Sequence, residues 1–357
     1  MKREIYAAAR TIAPKLHAYF ASHREIALRR GETHLAPLPE PETIEALLDA
    51  AFWASLRREE GFIPRISLAY LPQAQTEHSL LLDRPLAMDP ATLTRVSPAV
   101  ERPGVHLGVW RQQDELCVWG ATRGMPPLCL VVEVSAPGLL VVKHHSGQET
   151  RKFINVAVLE GDQVKLVEES VSGPEAPPLF QSLIAFDSPG PGNHTAAAII
   201  QLAVAMREHG HGGSLLCVPA GTDSWRSSIM QPMRYAVAPP YPAAAAIAAV
   251  GGLTAVDGAV VLNTRYEVLG FGAKIVRRKG SPPVEQVILT EPIRGGKPSA
   301  VHPDQLGGTR HLSAAQFVND QHDAVAMVAS QDGRFTVFEW SECEQKVHAH
   351  RVETLLL

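Results

Sequence analysis

Between Val105 and Val167 six short apolar runs follow one another, and then the chain turns abruptly polar and proline-rich. The runs are Val105 to Trp110, Leu116 to Trp119, Leu128 to Val134, Leu139 to His144, Phe153 to Leu159 and Gln163 to Val167. Gly, Pro, Asp and Gln separate them, the punctuation of tight turns, so the stretch is expected to be an antiparallel meander. Ser170 to Pro178, with Pro174, Pro177 and Pro178, has too little apolar content to join a core. It reads as a boundary, dividing the chain into residues 1–170, a linker at 171–178 and a second domain at 179–357.

Upstream of the meander, residues 1 to about 33 have the apolar spacing of one or two helices. Pro37, Pro39 and Pro41 break them, and a helix from Thr43 to Glu60 follows. Glu42 and Glu45 suit its positive end, and Gly61 stops it. Arg65 to Tyr70 alternates as a half-buried strand would. The first domain is thus expected to be α+β with a β-rich meander.

The second half mixes periods. Thr195 to His209 is helical and ends at Gly210 and Gly212. Ser214 to Val218 reads as a strand, Pro239 to Pro242 as a loop, and Ala243 to Leu253 as a small-residue helix. A strand at Val260 to Leu262, a helix at Ser313 to Phe317 and a buried strand from Asp323 to Val328 follow. Helices flanking a central mixed sheet are the expected architecture, so the chain as a whole falls in the α/β (α+β) class.

A chain of 357 residues can bury a substantial core. Its net charge of −4 gives no overall nucleic-acid footprint. The basic residues near the start (Lys2, Arg3, Arg10, Lys15, Arg24, Arg29 and Arg30) read as the wet face of a helix. Cys117, Cys129, Cys217 and Cys343 show no paired spacing, which argues against structural zinc and for a reducing compartment. The first fifteen residues lack the apolar run of a secretory signal. The small-residue stretch from Ala243 to Leu262 contains Asp257, a poor bilayer segment. The expectation is a soluble, cytoplasmic protein without a membrane or nucleic-acid partner.

Two motifs carry the chemistry. Asp257-Gly258-Ala259 sits where a helix gives way to a strand, and Gly308-Thr309-Arg310-His311 opens another helix. Asp257 offers a carboxylate for a divalent cation or for a hydroxyl proton. Gly258 and Ala259 let a ligand approach the backbone. Gly308 and Thr309 present N–H and hydroxyl groups at a helix start, where an anion is favoured. Arg310 adds a planar fork for phosphate, and His311 can orient phosphate or support a metal. Together these suit a metal-bound triphosphate. The phosphate-loop, dinucleotide-loop and nucleophile-elbow patterns are absent.

The order and context of these motifs resemble the diadenylate cyclase (DAC, or DisA-N) family, whose signatures are Asp-Gly-Ala and Gly-Thr-Arg-His. The likeness extends to Gly212 to Leu216, Leu269 to Ala273 and Ser330 to Gly333, and covers roughly Phe180 to Trp340. The N-terminal half resembles, in overall character, the sensor domain called DACNV. The resemblance implies that two ATP are joined into cyclic di-AMP with release of two pyrophosphates. It implies catalytic roles for Asp257, Arg310 and His311, and Mg²⁺ or Mn²⁺ held by Asp257 and His311. Nucleotide contacts would come from Gly258, Ala259, Gly272, Gly308, Thr309, Arg310 and Ser313. The partners implied are ATP, a second copy of the chain in a homodimer or larger assembly, and an unidentified ligand of the N-terminal domain. The sequence departs from the family at Val256 and Leu312, and offers Asn319-Asp320 where a Ser-Glu pair is expected. A nucleotide-binding sensor without synthesis, or a cyclase with another product, fits the same motifs.

Other polar clusters have plainer readings. Trp225 to Ser228 can flank a nucleotide or simply pack. His209 and His211 read as a helix terminus, and His144 and His145 as exposed turn residues. His348 and His350 read as the surface of a terminal strand.

Overall fold

The computed structural model describes the chain apart from residues 1–3, 60, 77, 103, 114, 147–152, 168–193, 244–245 and 357, and apart from the side chains of 194–199. The expected linker at 171–178 therefore lies outside the described residues. Two compact units divide the chain, Met1–Glu169 and Ser170–Leu356. Each has its own sheet and core, and the class is mixed α+β.

In the first unit, helices α1 (Ala7–Arg29) and α2 (Pro41–Ser55) cover one face of an eight-stranded sheet. Helix α2 starts on a proline at its first position, with Glu42 in its first turn. It buries Ile44, Leu47, Leu48 and Ala51, a stripe at helical spacing. The strands are β1 (Ser67–Tyr70), β2 (Ser79–Ala87), β3 (His106–Gln112), β4 (Glu115–Thr122), β5 (Leu130–Ala136), β6 (Leu139–His145), β7 (Phe153–Glu160) and β8 (Gln163–Leu166). A short helix, α3 (Pro90–Val96), follows β2 and is capped by the Asp89 carboxylate, which accepts from the N–H groups of Ala91 and Thr92.

The order across this sheet is β2-β4-β3-β1-β5-β6-β7-β8. Hence β3 to β8 is not one continuous meander. Strand β1 inserts between β3 and β5, parallel to the first and antiparallel to the second. That central place corrects the expectation for residues 65–70: all four β1 residues are buried, on both faces.

The second unit builds a nine-stranded mixed sheet. After α4 (His194–Glu208) come β9 (Gly213–Val218), β10 (Tyr235–Pro242), α5 (Ile247–Leu253), β11 (Ala259–Asn263), β12 (Glu267–Ala273), β13 (Val287–Thr290) and β14 (Ser299–Val301). Then follow α6 (Thr309–Asp320), β15 (Val325–Ala329), β16 (Phe335–Ser341), β17 (Lys346–Arg351) and α7 (Glu353–Leu356). The order is β10-β12-β11-β9-β15-β16-β17-β13-β14. Leu202 and Met206 of α4 pack with Leu215, Val260 and Met327 on one face. Ala314, Phe317 and Val318 of α6 pack with Leu216, Val261 and Val328 on the other. Strands β9, β11 and β15 alternate between these two cores, so every residue in them is buried. Burial raises the thiol pKa of Cys217 to about 12 and pushes that of Cys129 up as well, leaving both as inert packing groups.

Two local expectations are corrected here. Residues 239–242 are not a loop but the end of β10, the sheet's outermost strand, where prolines cost no ladder hydrogen bond. The small-residue helix is shorter than expected, because Ala243 closes the β10 end by donating its N–H to Tyr266.

Candidate nucleotide site

Strand register decides which motifs meet. Ala259 at the start of β11 pairs with Ser214 of β9, and Ser214 pairs with Val328 near the end of β15. The Asp257 turn, the Gly212 turn and the Ser330 turn therefore emerge at the same end of the sheet. Helix α6 also begins there, because a cavity of about 350 Å³ is lined jointly by Gly308, Thr309 and Arg310 and by Ser330 and Gln331.

Asp257 reaches this end through a tight backbone packing. Gly258 has φ +112°, and a Cβ there would lie 2.5 Å from the carbonyl carbon of Gly272. Gly272, with φ +66°, is in turn covered by the Tyr235 ring, 2.9 Å from where its own Cβ would stand. Both positions exclude a side chain, which explains glycines in the two strand ends. Tyr235 stacks on Phe271 with centroids 4.7 Å apart.

The carboxylate itself is open, with 80% of the side chain exposed. Lys274, the residue after β12, forms an ion pair with it. The Lys274 hydrogen bond and charge, helped by Arg310 and Arg234, hold the Asp257 carboxyl below the usual carboxylate range. A carboxylate so held stays ionised and is a poor proton acceptor.

At the second motif, Gly308 is the N-cap of α6, and no side chain caps it. The His311 N–H is donated to the Gly308 carbonyl at 3.0 Å, and the N–H groups of Thr309 and Arg310 meet no capping side chain. Thr309 and Arg310 are exposed. The Arg310 guanidinium lies against the glycine turn before β9: a Cβ on Gly212 would meet its Nη1 at 3.2 Å. Asp257, Gly258 and Gly272 stand on the neighbouring strand ends and do not line the cavity, whereas Arg310 does.

His311 is placed differently from expectation. It is 2% exposed, edge-on to Phe338 and tucked under Gly307, whose Cβ would strike the ring at 2.5 Å. Burial first, and Arg351 next, lower its pKa to about 4, so the imidazole is neutral. Its Nε2 is buried with no hydrogen-bond partner. It supports the floor of the corner and supplies no charge. Ser313 is half-buried one turn further on and does not line the cavity, and Ala259 is buried in β11.

The donor set can be tested against the expected cation. Among the described residues no group of three His, Cys, Asp or Glu side chains converges as a metal cage. Mg²⁺ and Mn²⁺ accept one carboxylate together with substrate phosphates and water, so Asp257 fits such an ion. His311 also lines the cavity, with its Nε2 unpartnered, but it is 2% exposed and packed against Phe338.

The remaining clusters resolve as packing or structure. Trp225 is 1% exposed and donates its indole N–H to the Thr222 carbonyl, with Arg226 over its face. The His209 ring bonds Thr254 at the end of α4, and His211 stacks beside it. His144 is a correction: it is buried in β6 against Tyr19, and burial lowers its pKa to about 4. His348 and His350 are also mostly covered, His350 bridging Thr290 and Glu339. Asp320 is no free acid, since it accepts from the Arg278 N–H, the Ser281 hydroxyl and the Gln316 amide. Lys274 and Arg234, absent from the motif-based expectation, are the additions of the structure.

Comparison with known proteins bears on the first unit. The family model described as "Probable sensor domain DACNV" matches residues 33–123, about a quarter of the chain. That segment carries α2, α3 and β1 to β4, which form one contiguous half of the eight-stranded sheet. No curated protein matches the chain. Among solved structures it is similar to one described as the hypothetical membrane spanning protein from Bacillus cereus, at 16% identity and a TM-score of 0.28. That similarity covers 43% of this chain and 62% of the other, and so low a TM-score supports no statement about fold. No helix among the described residues is long and apolar enough to cross a membrane. The match to a probable sensor domain thus falls within the N-terminal unit.

Proposed function

We propose that the second unit is a diadenylate cyclase, joining two ATP into cyclic di-AMP with release of two pyrophosphates, and that the sensor-type N-terminal unit regulates it. One observation carries the reading. The Asp257 turn and the Thr309-Arg310 helix start, 52 positions apart in sequence, emerge at one sheet end, with Arg310 lying against the Gly212 turn between them and β15. The DACNV match upstream supports it, since the motif resemblance pairs these two kinds of domain.

In each half-reaction a 3′-hydroxyl oxygen bonds to the α-phosphorus of the other ATP, the bond to the bridging oxygen breaks, pyrophosphate departs, and the hydroxyl proton passes to solvent water. The protein's share is positioning and charge neutralisation. The N–H groups at the start of α6 and the Thr309 hydroxyl bind phosphate oxygens, and the Arg310 fork clamps the triphosphate. Asp257 would hold Mg²⁺ or Mn²⁺, which neutralises charge on the leaving pyrophosphate. Each half-reaction needs a second nucleotide facing the first, so two protomers meet with their sites opposed.

A second reading has one observation in its favour: the motif's own carboxylate, Asp257, is already engaged by Lys274. A nucleotide-binding sensor that makes no product would look the same. Incubating the full chain with Mn²⁺ and ATP, or GTP, and separating products by chromatography distinguishes them. Cyclic di-AMP supports the cyclase; bound ATP returned unchanged supports the sensor; a product only from other nucleotides overturns the base assignment.

A further inference from the structure

The Lys274–Asp257 ion pair raises a question of order. A carboxylate that is to hold a divalent cation already holds an ammonium group, and two guanidinium groups act on it as well. Lys274 is not there by chance of a floppy loop. Its carbonyl accepts the Met230 N–H at 2.8 Å, and the next residue, Ile275, bridges to Ile229, so the backbone at 274 is pinned. Its side chain is 44% exposed, a long four-carbon stem ending at the carboxylate. The positive charges of Lys274, Arg310 and Arg234 around one carboxylate disfavour a bare divalent ion and attract an anion that brings such an ion with it.

We propose that Lys274 is a positioning residue that occupies the cation's place on Asp257 in the nucleotide-free protein and transfers to the triphosphate when the metal–nucleotide complex enters. The device rests on the nucleotide reading above. It makes the site selective for metal already bound to nucleotide, because only the phosphate charge compensates Lys274 for the carboxylate it gives up. Arg310 and Arg234 remain in place throughout and keep the empty pocket electropositive.

The consequence is a pair of effects of opposite sign. Without nucleotide, Lys274→Met should bind Mn²⁺ more tightly than wild type, by about two- to five-fold, the scale of losing an exposed ion-pair competitor. In EDTA, the same variant should bind ATP more weakly, by several-fold. Lys274→Arg should restore ATP binding. Both quantities are measured on the full chain, Mn²⁺ by the loss of its free electron-paramagnetic-resonance signal and ATP by equilibrium dialysis, with Asp257→Asn as the control that removes Mn²⁺ binding. A merely structural lysine would move both in the same direction or neither, and either result overturns the proposal. So does Mn²⁺ binding that Asp257→Asn leaves unchanged, and so does the absence of Mn²⁺ binding in wild type and Lys274→Met alike. Failure of the cyclase reading is separate: opposite shifts in Mn²⁺ and ATP affinity with no cyclic product would retain the exchange at Asp257 and discard synthesis.

Discussion

At the scale of single residues, the site depends on contacts that leave no room for a Cβ. Gly258→Ala would place a methyl group 2.5 Å from the Gly272 backbone at a φ of +112°. The expected cost is about 1–3 kcal/mol, read as a lower thermal midpoint, with ATP binding lost as the Asp257 turn shifts. Arg310→Ala should behave oppositely. Arg310 is exposed and its removal leaves the core alone, so stability should hold while ATP affinity drops roughly ten- to a hundred-fold, measured by dialysis. Asp257, Gly308, Thr309 and Arg310 were legible in the sequence because their types and order are unusual together. His311 was legible as part of the motif but not in its role, since only packing against Phe338 and Gly307 shows it to be buried and neutral. Lys274 was not legible at all: one lysine after a glycine-rich strand has no signature until register brings it to Asp257.

Buried histidines add a residue-scale prediction on pH. His106 and His144 are each 3% exposed, and burial, as the largest cause, lowers both from 6.5 to about 4. The unfolded chain therefore binds protons between these values that the folded chain refuses, so stability must fall as pH drops from about 6.5 towards 4 and level off below. Each contributes on the order of 3 kcal/mol over that range. Urea unfolding at pH 7, 5.5 and 4 measures the slope. His106→Asn, which can keep the bond to Ser67, should flatten it.

At the scale of elements, α6 links the core to the site. Phe317 is fully buried between α6 and the sheet, while Thr309 and Arg310 project from the same helix two turns earlier. Phe317→Ala should cost about 3–5 kcal/mol in denaturant unfolding and loosen the helix start. Its ATP affinity should fall with its stability, unlike that of Arg310→Ala. Elements with clean period or turn signals were legible, including α2, α4, β9 and the strands β3 to β8 of the first sheet, while β2 (Ser79–Ala87) was not read. Those decided by neighbours were not. Strand β1 alternates in sequence yet is buried on both faces, because it is inserted at the centre of its sheet. Strand β10 hides behind prolines that only an edge position tolerates. Pairing order is a long-range property, and no local pattern encodes it.

At the scale of the whole molecule, a unit carrying a sensor-type match and a unit carrying the candidate site each have their own sheet and core. If two opposed nucleotides are joined, product formation per protomer should rise with protein concentration and reach a plateau once assembly is complete. The central claim is that the acidic turn and the Thr-Arg corner handle one nucleotide together. Chromatography of ATP and Mn²⁺ incubated with wild type, Asp257→Asn and Arg310→Ala tests it most directly. The account predicts cyclic di-AMP from wild type and none from either variant, each still folded. ATP left intact by the wild type, or product undiminished in Asp257→Asn, would contradict it.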